Sequence, residues 1–385
     1  MLSMAKPALW AAAGACAIAL VANTAMARNI NYATGFPPSS IPAEAAETFA
    51  EALAEYSGGE LTARVFPLSL LNAAETSAGV RDGIADAGYL LTAYFPGEYP
   101  HSNLINEASM QLNLLEGDVE RTGAMAYVGA TAELLFFHCP ECNQEYTAQN
   151  QVFTGGASSS RYGLLCNTAV KSVSDVQGKR MRVAGSHWSR WASHFGGSSV
   201  SLTINEVFEA LNQGVVDCVV QSAPELINLR LIEHATYVNM DVPGGVYAAV
   251  GTASLNRDVW ASLSEDQRSA YLRASAVMGA EITYGYLEIE EEALAEVESR
   301  GNQLLSADAD LLDATREFTR EDLETVVEYY ADRHGVERGD ELLAQFRELL
   351  EKWIELVEDV DSAEDLAQLY WDEVYSKVDV SSHGL

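Results

Sequence analysis

The sequence predicts an α/β protein of two domains. Two observations carry this: a strand–helix alternation that opens at Asn29 and a second one that opens at Tyr162, each the pattern of βαβ units. A third is a helical stretch opening at Ser264 and running to Ser299, about 35 residues, too long for one globular unit and suited to crossing both. The length, 385 residues, fits two or three domains at about 100–200 residues each.

In chain order, Asn29–Tyr32 reads as a strand, followed by the turn-rich loop Thr34-Gly35-Phe36-Pro37-Pro38-Ser39-Ser40. A helix follows from about Ala43 to Tyr56, stopped by Ser57-Gly58-Gly59. Leu61–Phe66 alternates as a strand, Glu75–Asp82 is helical, and Gly88–Leu91 is a strand again. The second alternation runs from strand Tyr162–Cys166 through a helix opening at Ser174-Asp175 to strand Arg180–Ala184. It continues with a helix at Ser189–Phe195, strand Ser199–Leu202, helix Asn205–Asn212 and strand Cys218–Gln221. Ser264 and Gln267 form a capping box for the long helix, and Gly301 stops it. The last hundred residues are helical. Leu342, Phe346, Leu349, Leu350, Trp353 and Val357 share one helix face, with acids opposite.

Charge excludes whole classes of partner. With 23 Lys and Arg against 56 Asp and Glu the net charge is −33, which repels nucleic acid and anionic membrane alike. The charge is unevenly spread. Glu281–Leu385 holds 30 acids and 8 bases, whereas Gly155–Ile204 holds six bases (Arg161, Lys171, Lys179, Arg180, Arg182, Arg190) and one acid, Asp175.

Lys6, the apolar run Ala8–Ala22 and Ala25-Met26-Ala27 have the order of a secretory signal, so residues 1–27 are expected to be cleaved and the remainder exported to the periplasm. Four cysteines follow, and four allow three connectivities. Cys139-Pro140-Glu141-Cys142 fits a structural bridge, a redox pair or half a zinc site. If it bridges, Cys166 and Cys218 are left for each other.

No nucleophile elbow, metal-binding helix, P-loop or dinucleotide fingerprint occurs, and the seven histidines are scattered, His187 and His194 being seven apart. The basic island is the candidate for chemistry. Arg180 and Arg182 lie on the same face of a strand with Met181 on the other. At the strand end, facing a cleft, Arg182 could clamp a carboxylate through two parallel hydrogen bonds; elsewhere it would be solvated or paired with a surface acid.

Val173-Ser174-Asp175-Val176-Gln177-Gly178-Lys179-Arg180-Met181-Arg182-Val183, then Phe195-Gly196-Gly197-Ser198, then Asn205–Asp217 resemble, in order and spacing, the solute receptors of tripartite ATP-independent periplasmic (TRAP) transporters. Ser57–Leu61, Arg81–Tyr89 and Trp260–Gln267 agree with this, so the resemblance covers Asn29 to Gly301. It implies a two-domain periplasmic binding protein, not an enzyme, with a ligand cleft between the domains and no cofactor. The ligand would be a small organic carboxylate, delivered to small and large integral membrane subunits of a sodium-driven permease. A sensor for a receptor kinase and an exported enzyme acting on a small acid are the alternatives. By the same resemblance domain I takes residues 28–158 and 248–287, and domain II takes 159–247 and 288–385 with the acidic helices as its extension.

The resemblance makes Arg182 the anchor, Arg161 a second arginine and Gln221 an amide partner. It sets Phe36, Tyr89 and Tyr94 on loops lining the cleft, with Ser186, Trp188 and Tyr247 also at the ligand. Trp191 is either part of that wall or core. Ala184-Gly185-Ser186 stands where the family often has proline, and Cys218 where it has glycine, which favours a bridge to Cys166.

Overall fold

Two mixed sheets, joined by three stretches of chain, form the frame of the computed structural model, which describes residues 1, 27–248 and 250–385. The expected signal peptide thus falls, save for its end residues, outside the described residues. The first half alternates β1 (Arg28–Thr34), α1 (Ile41–Tyr56), β2 (Leu61–Pro67), α2 (Thr76–Arg81) and β3 (Ala87–Leu91). Three helices that the periodicity leaves unread follow: α3 (Pro100–Glu107), α4 (Val119–Phe137) and α5 (Pro140–Ala148), then the short strand β4 (Gln151–Val152). The second half comprises β5 (Tyr162–Cys166), α6 (Val173–Val176), β6 (Arg180–Val183), α7 (Ser186–His194), β7 (Ser198–Ser201), α8 (Ile204–Asn212), β8 (Cys218–Ser222), α9 (Glu225–Asn228) and β9 (Tyr237–Asn239). The chain then returns through β10 (Val250–Asn256), α10 (Arg257–Ser262), α11 (Glu265–Ser299), β11 (Gln303–Leu304), α12 (Ala309–His334), α13 (Gly339–Leu356) and α14 (Ala363–Glu373).

The first sheet has the order β2-β1-β3-β10-β4, parallel over β2-β1-β3 and antiparallel at β10. The second has the order β11-β9-β5-β8-β6-β7, with β6 parallel to both β7 and β8. Residues 153–161 and 240–248 cross between the sheets side by side: Ser159 N–H donates to the Tyr247 carbonyl (3.1 Å) and Tyr162 N–H to that of Gly245 (2.9 Å). The third crossing is α11. Its Ser264–Gln267 capping box is present, and at 1.5 Å per residue it is about 52 Å long. Its first turns pack on α1, and Ala293 and Val297 near its end enter the core of the second sheet. The helix expected to span both domains does so.

The C-terminal helices depart from the expected division. Residues 288–385 were assigned to the second domain, but α13 packs on α4 and α14 on α11, while α12 bridges α3 and α7. The physical reason lies in α4, buried on nearly all sides from Thr122 to Leu135, which demands an apolar partner. The stripe Leu342, Phe346, Leu349, Leu350 and Trp353 supplies it. Trp353 reaches the α4 backbone because residue 129 is glycine: a Cβ there would lie 2.2 Å from the indole ring. The Trp353 indole N–H then donates to Glu133 (2.7 Å). The chain end is tied down too, the His383 carbonyl accepting from Trp260 Nε1 (2.7 Å).

Cys139–Cys142 and Cys166–Cys218 are disulfides, the second joining directly opposed residues of β5 and β8. The bridges differ in worth, because loop-closure entropy grows with the span, 52 residues for one and 3 for the other. Replacing both Cys166 and Cys218 by alanine should cost about 4 kcal/mol, and Cys139 with Cys142 about 2 kcal/mol. Urea denaturation of the two double variants checks this ranking.

Candidate functional site

Arg182 occupies the third position of β6. Alternation puts Met181 in the core behind the sheet, while Arg180, at the exposed strand start, makes a two-point pair with Asp217 (3.0 and 2.7 Å). Two residues on, Arg182 is completely buried. Its Nε donates to the Leu202 carbonyl (2.9 Å), one terminal nitrogen to Gln221 Oε1 (2.8 Å) and the other to the Tyr94 hydroxyl (3.0 Å). The sheet sets up this arrangement: β8 runs beside β6 with Val219 opposite Arg182, which brings Gln221 alongside. Tyr94 comes from the other domain, on the turn after β3, and its oxygen also accepts from Ile204 N–H (3.1 Å).

Three of the five guanidinium donors are therefore used and two are left. The Tyr94 oxygen accepts twice, leaving its own O–H without an acceptor among the described residues. No carboxylate pairs with Arg182 among the described residues, although Arg161, Arg180 and Arg190 all have one. A buried cation with spare donors and no counter-charge is suited to receiving an anion.

Tyr94 and Gln221, the two side-chain partners of Arg182, form part of the wall of a small cavity between the sheets, of about 20 Å³. Ligand pockets span about 300–1,000 Å³, so the walls are drawn together here and a ligand enters only as the two sheets part. Phe36 and Tyr89, in edge-to-face contact at 5.4 Å, line it from the first domain. Tyr162 and Glu225 line it from the second, Tyr247 from a crossing segment and Tyr286 from α11. Tyr286 donates to Glu225 Oε1 (2.6 Å), whereas Glu225 Oε2 and the Tyr247 hydroxyl are buried without a partner. Burial pushes the Glu225 carboxyl up to about 7, although the Tyr286 hydroxyl and the Arg182 charge pull it down.

Of the residues singled out in the sequence, Phe36, Tyr89, Tyr94, Gln221 and Tyr247 line this cavity, and Arg182 lies just behind its wall. Trp188 forms a second row: its ring stacks on Tyr162 at 4.2 Å and its N–H is bound by the Gly244 carbonyl (2.9 Å). Trp191 is core, bonded to Thr315 (3.1 Å). Ser186 and Arg161 do not join the group. Ser186 starts α7 with its N–H on Glu107 (2.9 Å), turned to a different network. Arg161 is held by the Asp241 carbonyl (2.7 Å) and Glu120 (3.3 Å), in a separate open groove that also contains Arg316. It directly precedes Tyr162, which pairs with Ser222 at the same sheet end as Gln221 and lines the cavity, but the Arg161 side chain goes into the other groove.

Glu225, Tyr286 and Tyr162 had not been singled out. The available signal was Glu225 itself, one acid within the apolar run Ala223-Pro224-Glu225-Leu226-Ile227, directly after the strand that carries Gln221.

Comparison with known proteins agrees with this architecture. Residues 162–330 match the family model described as "Bacterial extracellular solute-binding protein, family 7". A TRAP periplasmic solute-binding protein from Bordetella bronchiseptica, solved with bound (R)- and (S)-mandelate, is similar with a TM-score of 0.71 and 21% identity over 84% of this chain and 99% of that one. A marine metagenome TRAP solute-binding protein from an unidentified microbe, in complex with pyroglutamate, gives 0.69 and 17% over 84% and 99%. A third, from Sulfitobacter sp. NAS-14.1 with bound β-D-galacturonate, gives 0.67 and 17% over 83% and 100%.

Proposed function

Residues 162–330 match the model of the bacterial extracellular solute-binding proteins of family 7, and from that match we propose that the chain captures a small organic carboxylate in the cavity beside Arg182. The unpaired, fully buried guanidinium carries this reading. A ligand carboxylate would supply the missing counter-charge and take the spare N–H donors, with the Tyr94 hydroxyl as a further donor. Phe36, Tyr89, Tyr162 and Tyr247 would enclose the remainder. That three similar proteins hold mandelate, pyroglutamate and galacturonate, all carboxylates, supports it.

Capture couples to closure because the site is divided between domains. Tyr94 reaches from the first domain to Arg182 and Ile204 of the second, and Asn205 of the second donates to the Gly35 carbonyl of the first (2.8 Å). A bound acid between these groups would favour the closed form, the form that in this reading docks on a TRAP permease in the membrane from the periplasmic side. A thermal-shift panel of small organic acids tests the capture step. An acid at 100 times its Kd should add about 2.7 kcal/mol of stability, a melting shift of several degrees. A full panel without a response would overturn the reading.

A further inference from the structure

The cavity holds a second polar centre that neither the family match nor the Arg182 anchor uses. Glu225 begins α9, one turn after the strand carrying Gln221, and is 2% exposed. One of its oxygens accepts from Tyr286; the other, Oε2, is buried without a hydrogen bond of ordinary geometry, the Gln221 and Asn228 amides lying near enough to help hold the carboxyl down. Spare donors lie around it, together with the hydroxyls of Ser159, Tyr89 and Tyr162, which can donate or accept. Arg182 has two spare N–H groups, Tyr94 a spare O–H, and Tyr247 a buried hydroxyl without a partner. Gln221, with its carbonyl oxygen taken by Arg182, has its NH₂ on the Glu225 side. Glu225 is thus the single carboxylate acceptor among the described residues of the wall that a ligand can meet once its own carboxylate has been taken.

Resting on the carboxylate-capture reading above, we propose that Glu225 is a specificity residue. It reads a hydrogen-bond donor on the ligand, so that the ligand is a small monocarboxylate bearing an N–H or O–H group, and α,ω-dicarboxylates are refused. The charge count supports this. Among the described residues Arg182 is the one cation bonded into the cavity wall, so a second ligand carboxylate would be desolvated without a partner and would face the Glu225 carboxyl. A donor-bearing monocarboxylate satisfies both ends, and an analogue lacking the donor leaves Oε2 orphaned, the arrangement by which a polar site rejects an apolar isostere.

The test sorts the acid panel into three groups, read by calorimetry on the full protein. Pyroglutamate, lactate and mandelate carry a donor; N-methylpyroglutamate, butyrate and phenylacetate lack one; succinate and glutarate are dicarboxylates. The expected binders come from the first group, at least 10-fold tighter than their donor-free counterparts. In Glu225→Leu this preference should collapse to less than threefold. In Glu225→Gln, which keeps an acceptor for Tyr286 but carries no charge, the refusal of dicarboxylates should relax. Circular dichroism melts of both variants report folding separately. If the wild type binds succinate, glutarate or the donor-free acids as tightly as the first group, or if Glu225→Leu leaves the order unchanged, the specificity assignment is wrong and the capture reading stands. No response to any acid overturns both.

Discussion

Arg182→Ala should abolish ligand binding while the protein still folds. Truncating one partner of a buried charge pair costs about 2–5 kcal/mol, a loss of affinity on the order of 30- to 4,000-fold. Arg182→Lys should recover only part of it, since an ammonium keeps the charge but loses the planar fork. The folding half of the expectation follows from the same observation as the binding half. Arg182 is fully buried with no ion-pair partner among the described residues, so in the empty protein its charge is a cost rather than a contribution. Arg182→Met should therefore be at least as stable as the wild type in urea. It should also raise the Glu225 carboxyl above its value of about 7, because the Arg182 charge is among the influences holding it down. Titration of the two proteins by carbon-detected NMR measures this.

Glu107→Ala should be the most damaging substitution for stability. Glu107, the last residue of α3, is 3% exposed and accepts from Ser186 N–H at the start of α7 (2.9 Å) and from Arg190 (2.8 Å), with His187 Nδ1 at 3.4 Å. Arg190 also makes a two-point pair with Asp322 of α12 (2.6 and 2.8 Å). One carboxylate thus joins helices of both domains, and its partner Ser186 lies only four residues beyond the anchor arginine. Burial would raise its pKa, but His187 and Arg190 outweigh burial and hold it at about 2.

Removing Glu107 leaves the buried half of this network uncompensated, at about 3–5 kcal/mol. The pH dependence has a definite sign. A carboxyl depressed on folding contributes fully above its unfolded value near 4.5, and the contribution, about 3 kcal/mol, is lost as pH falls towards 2. The stability gap between wild type and Glu107→Gln should accordingly be large at pH 7 and mostly closed at pH 2.5. A gap independent of pH would mean that packing, not charge, is what Glu107 provides.

Periodicity and capping made the two α/β halves and the long helix legible. Ser264 with Gln267, and the alternation around Met181, are local signals that survive in the fold. The strand β10 was not legible, because a run buried throughout, Val250–Asn256, has no alternation to read, and its partners β3 and β4 lie far away in sequence. The docking of α13 was half legible. Its apolar stripe was plain, but its mate α4 is apolar all round and gave no direction. The candidate site divides in the same way. Arg182 and Gln221 follow from a strand register, whereas Glu225 and Tyr286 meet only because α11 crosses the cavity. Arg161 misled because a cluster of charge in the sequence is not a cluster in space: Arg180 pairs with Asp217, Arg190 with Glu107 and Asp322, and Arg161 lies in another groove.

The most direct measurement is a crystal structure of the protein with the tightest acid of the panel. The ligand should lie in the cavity between Tyr89, Tyr247 and Glu225, its carboxylate within about 3 Å of both terminal nitrogens of Arg182. A ligand seated instead in the open groove beside Arg161 and Arg316, or in the cavity with its carboxylate turned away from Arg182, would contradict the account.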